Sequence, residues 1–369
     1  MKRLIICVFA VALCLGMLPV SAVSTSAKAT ALINGHTGEI IFSQNADTRL
    51  PMASTTKIMT ALLLAECNTP EKTIVTTKEM VTVEGSSMGL LAGDTVTYND
   101  LLYGMLLASG NDAANTTAIS VAGSVERFVE MMNDRARKMG LRNTSFVTPS
   151  GLDAAEHYTT AYELALIAKE ALNNDAFLAA ASSRTATLCY GNPPYKRTLT
   201  NHNRLLASYK GLIGVKTGFT KKSGRCLVTA AERDGKRVIA VTLNDPNDWA
   251  DHRALLDFGL EKIKAIECIP PADTYTVNVA GGDSAAVVCR VNTVKIGVCT
   301  DKEIVTKVSL PKIVFAPVKK GSIVGSVDYY IGDTLIGGSD IIADNTVNVQ
   351  KNNLISDFLG CLYNILSSI

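Results

Sequence analysis

Ser54-Thr55-Thr56-Lys57, Ser109-Gly110-Asn111 and Lys216-Thr217-Gly218 follow one another along the chain and bring together alcohols, two amines and an amide. Each is weak alone, since S-x-x-K arises about once by chance in a chain of this length. Their surroundings add weight. An i, i+3 spacing puts the Ser54 hydroxyl and the Lys57 amine on one helix face, at the mouth of the run Ile58 to Ala65, which is apolar on every side. A helix without a polar face belongs inside a domain. A lysine at its mouth meets a desolvation cost that is relieved by a lowered pKa. At an ordinary pKa near 10.4, only about one lysine in several thousand is neutral at pH 7, too few to strip a serine of its proton. A lowered pKa makes Lys57 a general base and Ser54 a nucleophile.

Lys216, if a sheet edge carries it beside that helix, adds a like charge, and Ser109 can relay a proton between the two amines. Helix N-terminal amides favour a developing oxyanion. Asn111 offers both a donor and an acceptor, as holding a substrate amide requires, although a helix stop at Ala108 and restart at Asp112 would explain this segment without catalysis. In a strand from Gly214 to Thr220, alternation sends Lys216 and Gly218 to one face and Thr217 to the other. A peptide could add along such an edge, Gly218 permitting close approach; the plain alternative is an edge strand protected by a lysine.

The elements that must position these groups are legible as periodicity. Ala29 to Asn34 and Glu39 to Gln44 flank Asn34-Gly35-His36-Thr37-Gly38 and read as a hairpin. Helices are expected at Tyr98 to Leu107, Ala113 to Ala122, Val125 to Met139 and Thr160 to Asn173. Strands return at Ile213 to Thr220, Arg225 to Ala231 and Val238 to Leu243, the last two joined around Asp234-Gly235, and Trp249 to Lys264 reads as a closing helix. The simplest assembly is an α/β (α+β) domain: one antiparallel sheet built from both ends of the region, flanked by helices, with an inserted helical lobe.

With 369 residues, 47% of them hydrophobic, the chain can bury one large core and a second, smaller one. A net charge of +2 supplies no field for tracking phosphates, which argues against nucleic acid as a partner. Lys2 and Arg3, the apolar run Leu4 to Val20 and the small-x-small step Val20-Ser21-Ala22 form an export signal, so residues 1–22 are expected to be removed; the competing reading is an uncleaved anchor. Leu13 before Cys14 argues against lipidation. The remaining cysteines, Cys67, Cys189, Cys226, Cys268, Cys289, Cys299 and Cys361, form no disulfide framework and no zinc spacing, so neither metal nor cofactor is expected. Cys289 and Cys299 could bridge neighbouring strands, but buried free thiols are the preferred reading.

The expected catalytic domain is 23–267. Past Cys268-Ile269-Pro270-Pro271, strands rich in valine and isoleucine at Thr274 to Val279, Ala286 to Val291, Ile304 to Leu310 and Ile323 to Tyr329 give a small all-β domain, 268–350. In 351–369, Leu354, Ile355, Phe358, Leu359, Leu362, Ile365, Leu366 and Ile369 fall on one stripe of an amphipathic helix suited to a membrane surface. Docking on the β domain is the alternative, and only Lys351 is at hand to attract anionic lipid.

Besides the three motifs, the chain carries Pro51-Met52-Ala53-Ser54-Thr55-Thr56-Lys57-Ile58-Met59-Thr60-Ala61, Glu84-Gly85-Ser86-Ser87-Met88, Ala108-Ser109-Gly110-Asn111-Asp112-Ala113-Ala114 and His157-Tyr158-Thr159-Thr160-Ala161. With these it closely resembles, over nearly its whole length, the low-molecular-mass penicillin-binding proteins of the D-alanyl-D-alanine carboxypeptidase family. The resemblance implies a penicillin-binding/β-lactamase-like fold, and removal of the terminal D-alanine from peptidoglycan stem peptides ending in D-Ala-D-Ala. It implies that Ser54 attacks the carbonyl between the two D-alanines and that Lys57 is the base. Penicillins and other β-lactams would acylate the same serine. It further implies an oxyanion hole from the backbone amides of Ser54 and Phe219, with Thr217 helping to bind the terminal carboxylate, and an exported enzyme on the outer face of the cytoplasmic membrane. The scarcity of basic residues in 351–369 departs from the family pattern. Ser-Gly-Asn in place of Ser-Asp-Asn separates the chain from class A β-lactamases. A β-lactamase would need a deacylating glutamate, for which Glu163 is the nearby candidate; a penicillin sensor or wall-binding protein would acylate without turning over peptide.

Overall fold

A computed structural model describes residues 23–299 and 302–350; the export signal and the C-terminal stripe lie outside the described residues. The chain divides into two compact units. The first takes the chain up to Ile33 together with Ile40–Ala231 and Val238–Lys262, and the second takes Asn34–Glu39, Glu232–Arg237 and the chain from Ile263 onward.

The first unit opens with the expected hairpin, β1 (Ala29–Asn34) and β2 (Ile40–Gln44), paired antiparallel. A 3₁₀ turn, Ala53–Thr56, leads into α1 (Lys57–Ala65), every residue of which is buried. Short β3 (Thr73–Val75), α2 (Lys78–Val81) and β4 (Thr95–Thr97) follow. The helical lobe is α3 (Tyr98–Leu106), α4 (Asn111–Ala122), α5 (Val125–Lys138), α6 (Ala161–Ala171) and α7 (Asp175–Ser182). Except at α4, whose N-cap Gly110 has no side chain, their starts are set by side chains that satisfy orphan N–H groups. Thr97 and Asp100 make a reciprocal capping box, and Ser124, Thr160 and Asn174 accept from Arg127, Glu163 and Phe177 N–H.

β5 (Thr185–Gly191), β6 (Pro194–Thr200) and α8 (Leu205–Ser208) then lead to β7 (Leu212–Thr220), β8 (Gly224–Arg233), β9 (Lys236–Leu243) and α9 (Asp248–Lys262). The main sheet has the order β2-β1-β9-β8-β7, so the two ends of the unit meet in one sheet and β7 is its edge. α1 is the central helix, packed against α3, α4, α6 and β7, with Ile58, Met59, Leu62, Leu101, Met105, Phe128, Leu164 and Val228 in one apolar core.

The expected elements are found with ends shifted by a residue or two. Thr160 is a cap and not a helical residue, and Lys264 leaves the closing helix for a strand. A second sheet, β3-β4-β5-β6, has no counterpart in the sequence reading. Its hairpin β5-β6 packs Ala186, Leu188, Tyr190 and Leu199 on the core and exposes Thr185, Thr187, Cys189 and Thr198 on the other face. The alternation is present, but its inward set mixes alanine and tyrosine and its outward set includes a cysteine, which blurs the apolar/polar contrast.

The second unit is all-β. β10 (Lys264–Cys268) pairs with β13 (Val294–Val298). β11 (Thr274–Ala280), β12 (Ala286–Arg290), β14 (Val305–Ser309), β15 (Ile313–Phe315), β16 (Ile323–Ile331) and β17 (Thr334–Ala343) form a sheet of order β14-β16-β17-β12-β11-β15. Val277, Val287, Cys289, Val327, Tyr329 and Ile341 fill its core. Cys289 is a buried free thiol as expected, whereas Cys299 is a free thiol at the surface, because it follows the last residue of β13.

Candidate functional site

Ser54 does not stand in the α-helix that the sequence suggests. It lies in the 3₁₀ turn that precedes it, and Lys57 is the first α-helical residue. The difference matters because side chains at i and i+3 eclipse one another when a turn takes three residues, bringing Lys57 Nζ to 3.0 Å from Ser54 Oγ. The turn is fastened by its own threonines: Thr55 Oγ1 donates to Met52 O at 2.6 Å and Thr56 Oγ1 to Ala53 O at 2.8 Å. Ala53 is held at φ 47°, a costly conformation for a residue with a Cβ.

Lys57 is fully buried. Its Nζ has two further partners, Asn111 Oδ1 and the Ser150 carbonyl, each at 2.7 Å. Desolvation holds its pKa well below the ordinary lysine value, and the Lys216 charge lowers it further while Asp112 opposes the shift. Charged, Lys57 Nζ donates to all three; once it loses a proton, its two remaining N–H groups match the two carbonyl oxygens and its lone pair is left facing Ser54 Oγ–H.

Asn111, at the start of α4, is engaged more fully than its sequence context suggests. Its Oδ1 accepts from Lys57, and its Nδ2 donates to Glu84 O at 2.6 Å, which uses one of its two N–H groups and one of its two lone pairs. The Asn111 backbone N–H donates to Ser86 O at 2.7 Å, which ties the Glu84–Ser86 stretch to the same corner. Asp112 organises the next residues: its carboxylate accepts from Ser87 Oγ at 2.6 Å and from the Met88, Gly89 and Leu90 N–H groups at 2.9–3.1 Å.

Lys216 on edge strand β7 is buried, donates to Ser109 Oγ at 3.1 Å and to Thr217 O at 2.9 Å, and has its pKa lowered to about 7 by desolvation. Ser109 sits at φ 58° between α3 and α4, which turns its hydroxyl onto Lys216. Along β7, Lys216 and Gly218 are buried, Thr217 is partly exposed and Phe219 is exposed, as alternation requires. A Cβ at Gly218 would lie 3.1 Å from Met52 O, Ser54 N and Thr55 N, so the edge strand lies against the Ser54 turn because residue 218 is glycine. Ser54, Ser109, Thr217, Gly218 and Phe219 line one cleft of about 450 Å³, together with His202, Arg204, Arg225 and Trp249.

Several groups that hold the site are not evident in the motifs. His157, buried, accepts the Val147 N–H on Nδ1 at 3.0 Å; its proton is therefore on Nε2, which donates to Thr56 Oγ1 at 2.7 Å. Burial lowers its pKa to about 4, so this tautomer persists at neutral pH. Gly151, at φ +88°, packs where any Cβ would overlap the Ala53 carbonyl. The one sequence signal was the stretch His157-Tyr158-Thr159-Thr160-Ala161, which carries a histidine but not its partner. Among the described residues, no group of three or more His, Cys, Asp or Glu could hold a metal ion.

Glu163, the residue a β-lactamase reading would need, is committed elsewhere. Its carboxylate accepts from Arg142 and Asn143 N–H at 2.8 and 2.9 Å and from Thr144 Oγ1 at 2.6 Å.

Residues 18–247 match the family described as D-alanyl-D-alanine carboxypeptidase, and residues 274–349 match the penicillin-binding protein 5 C-terminal domain. D-alanyl-D-alanine carboxypeptidase DacF of Bacillus subtilis is 38% identical over 60% of this chain and 58% of its own length, so that match spans less than two thirds of the relative. DacC of Escherichia coli is 32% identical over 89% of this chain and 86% of its own. Among solved structures, the Streptomyces K15 DD-transpeptidase is 33% identical with a TM-score of 0.63, covering 66% of this chain and all of that one. Penicillin-binding protein 5 of Haemophilus influenzae is 25% identical with a TM-score of 0.63, covering 89% and 100%. The match over 18–247 takes in the Ser54 turn, the Ser109–Asn111 corner and the Lys216–Gly218 edge, and the chain belongs to the D-alanyl-D-alanine carboxypeptidase family.

Proposed function

We propose that the chain is a serine-type D-Ala-D-Ala carboxypeptidase that removes the terminal D-alanine from peptidoglycan stem peptides through an acyl-enzyme on Ser54. The observation that carries this reading is the environment of Lys57: a buried amine with two carbonyl acceptors for its N–H groups and a serine hydroxyl at 3.0 Å for its lone pair. Lys57 takes the Ser54 proton as Oγ attacks the carbonyl carbon. The backbone N–H groups of Ser54 and Phe219 receive the developing oxyanion; losing one such donor typically costs about a hundred- to a thousandfold in rate. Lys216 and Ser109 return a proton to the departing D-alanine amine, and Thr217 holds its carboxylate. Water then cleaves the ester, with Lys57 again as base. A peptide lying along β7 is read as an added strand, its amide held by the remaining valences of Asn111.

The committed carboxylate of Glu163 favours this reading over a β-lactamase, whose fast deacylation needs a free glutamate near the ester. β-Lactams would then stay bound as long-lived esters of Ser54. The test is release of D-alanine from a pentapeptide ending in D-Ala-D-Ala, with mass spectrometry locating the penicillin adduct. Release by the parent protein and loss of both reactions in Ser54→Ala are expected. Labelling without release would leave a penicillin sensor, and rapid penicillin turnover a β-lactamase.

We further propose the layout 1–22 signal, 23–267 catalytic domain, 268–350 β domain and 351–369 membrane-surface segment, which would place the enzyme outside the cytoplasmic membrane. No helix among the described residues is long and apolar enough to cross a membrane.

A further inference from the structure

The second unit leaves one part of its sheet poorly covered. β15 is the edge strand beside β11, and its Ile313 and Phe315, two residues apart, share the outward face while Val314 between them packs on the core. Phe315 is 76% exposed and Ile313 49% exposed. An apolar, three-residue edge is ordinarily blunted by charge or covered. Here the charges stand beside it: Lys312 precedes the strand, and Lys319 and Lys320 follow one turn later, all exposed.

The path of the chain adds a second, independent observation. Gln350, the last described residue, donates its N–H to Gly281 O at 2.9 Å, and Gly281 follows Ala280, the register partner of Phe315. The segment 351–369, with its stripe of large apolar residues, therefore departs within about two strand spacings, roughly 10 Å, of Phe315. That segment brings only Lys351 to attract anionic headgroups, whereas the sheet edge supplies Lys312 and Lys319. Lys320 is partly engaged by Asp344 at 3.7 Å. The nearby carboxylate, Asp283, is tied to Asn348 through its backbone N–H and Nδ2 at 2.9 and 3.1 Å.

We infer that the β15 edge, Ile313 and Phe315 flanked by Lys312 and Lys319, is a lipid-docking surface that enters the headgroup region of an anionic membrane beside the C-terminal segment. This rests on the proposal that 351–369 lies in a membrane surface, and it divides the labour. The segment supplies apolar area, and the sheet edge supplies the cations and two apolar wedges. Two weak attachments on one rigid unit act together, since binding by the first makes the second intramolecular.

The experiment is co-sedimentation of the chain from Val23 to Ile369 with phosphatidylglycerol-containing vesicles and with pure phosphatidylcholine vesicles. The double variant Ile313→Ser, Phe315→Ser should bind both about tenfold or more weakly. Lys312→Glu with Lys319→Glu should weaken binding to the anionic vesicles alone, by about fivefold for each lysine. A chain ending at Gln350 should retain weak binding that the Phe315 substitution removes. Phe315→Trp, a conservative exchange, should bind as the parent does and be quenched by brominated lipid chains, while the parent, whose tryptophan is Trp249, should not. Unchanged binding in the serine variant, with binding abolished by truncation, would leave the C-terminal segment as the whole anchor and overturn the inference. So would stronger binding after truncation, which would mean that the segment covers the edge, or a concentration-dependent dimer dissolved by the same substitutions. Absence of binding to either vesicle in every form would refute the membrane-surface proposal itself.

Discussion

Two buried lysines are an expensive way to build a site, and their cost is readable as pH dependence. Lys216, with its pKa lowered to about 7 in the folded protein against an ordinary value near 10.4, binds fewer protons folded than unfolded between those limits. Stability therefore rises with pH across that window. Lys216→Met should remove the penalty and stabilise the protein at neutral pH by about 1–3 kcal/mol, seen as a melting temperature raised by several degrees, while D-alanine release falls at least a hundredfold. The same substitution removes a like charge from Lys57, so the acid limb of penicillin acylation should move to higher pH. An unmoved limb in a stabilised, folded variant would show that the two amines do not communicate.

His157 reaches Ser54 only through other groups, so its expected part is to position the turn. Its Nε2–H fixes Thr56 Oγ1, whose proton fixes the carbonyl of strained Ala53, the residue before Ser54. His157→Ala should slow acylation about ten- to a hundredfold with little change in the apparent affinity for penicillin, because the cleft walls are untouched; His157→Gln, which can still donate to Thr56, should recover part of the rate. Equal losses in both variants, tracking their thermal stability, would make the residue merely structural.

Among the elements, what the sequence could say divides along a physical line. Elements held in a core declare themselves: α1 is apolar all round because it is enclosed, and β8 and β9 are legible because each has an unbroken run of six buried residues. The β5-β6 hairpin is quieter: Ala186, Leu188, Tyr190 and Leu199 face the core, but threonines and a cysteine on the other face and an alanine on the inner one give a weak apolar/polar contrast. At the site, Ser54, Lys57, Ser109 and Lys216 were legible since their chemistry is rare in such settings. Ser150 and Gly151 were not: the first acts through a backbone carbonyl and the second through the absence of a side chain. The seam between α1 and β7 offers a sharp test of positioning by shape. Gly218→Ala sets a methyl 3.1 Å from three backbone atoms of the nucleophile's turn, tighter than ordinary contact, so strand and turn must part by a few tenths of an ångström. Acylation should drop by about tenfold or more while stability changes by about 1 kcal/mol or less. An unaltered acylation rate would mean that the strand's distance from the turn is not limiting.

At the scale of the molecule, two separate apolar cores imply two unfolding events, and the charge chemistry of the first unit says how to tell them apart. His157 and His252 are buried and neutral, with pKa values lowered to about 4 and about 3. His252 bridges Thr229 Oγ1 at 2.7 Å and Thr242 Oγ1 at 2.9 Å between β8 and β9. Unfolding exposes both to water, where they take up protons below about pH 6.5. The unfolded state then binds more protons than the folded one, so stability of this unit falls as pH is lowered from 6.5 toward 4. Acylation of Ser54 acts on the same unit in the opposite direction, since the ester survives unfolding but the acyl group's contacts with the cleft are made only in the folded form. Calorimetry should resolve two transitions; lowering the pH from 7 to 5 should move one down by several degrees, and penicillin should raise that same one. If both transitions shift together under both treatments, or if only one is seen, the two cores unfold as a single cooperative block and their independence is refuted.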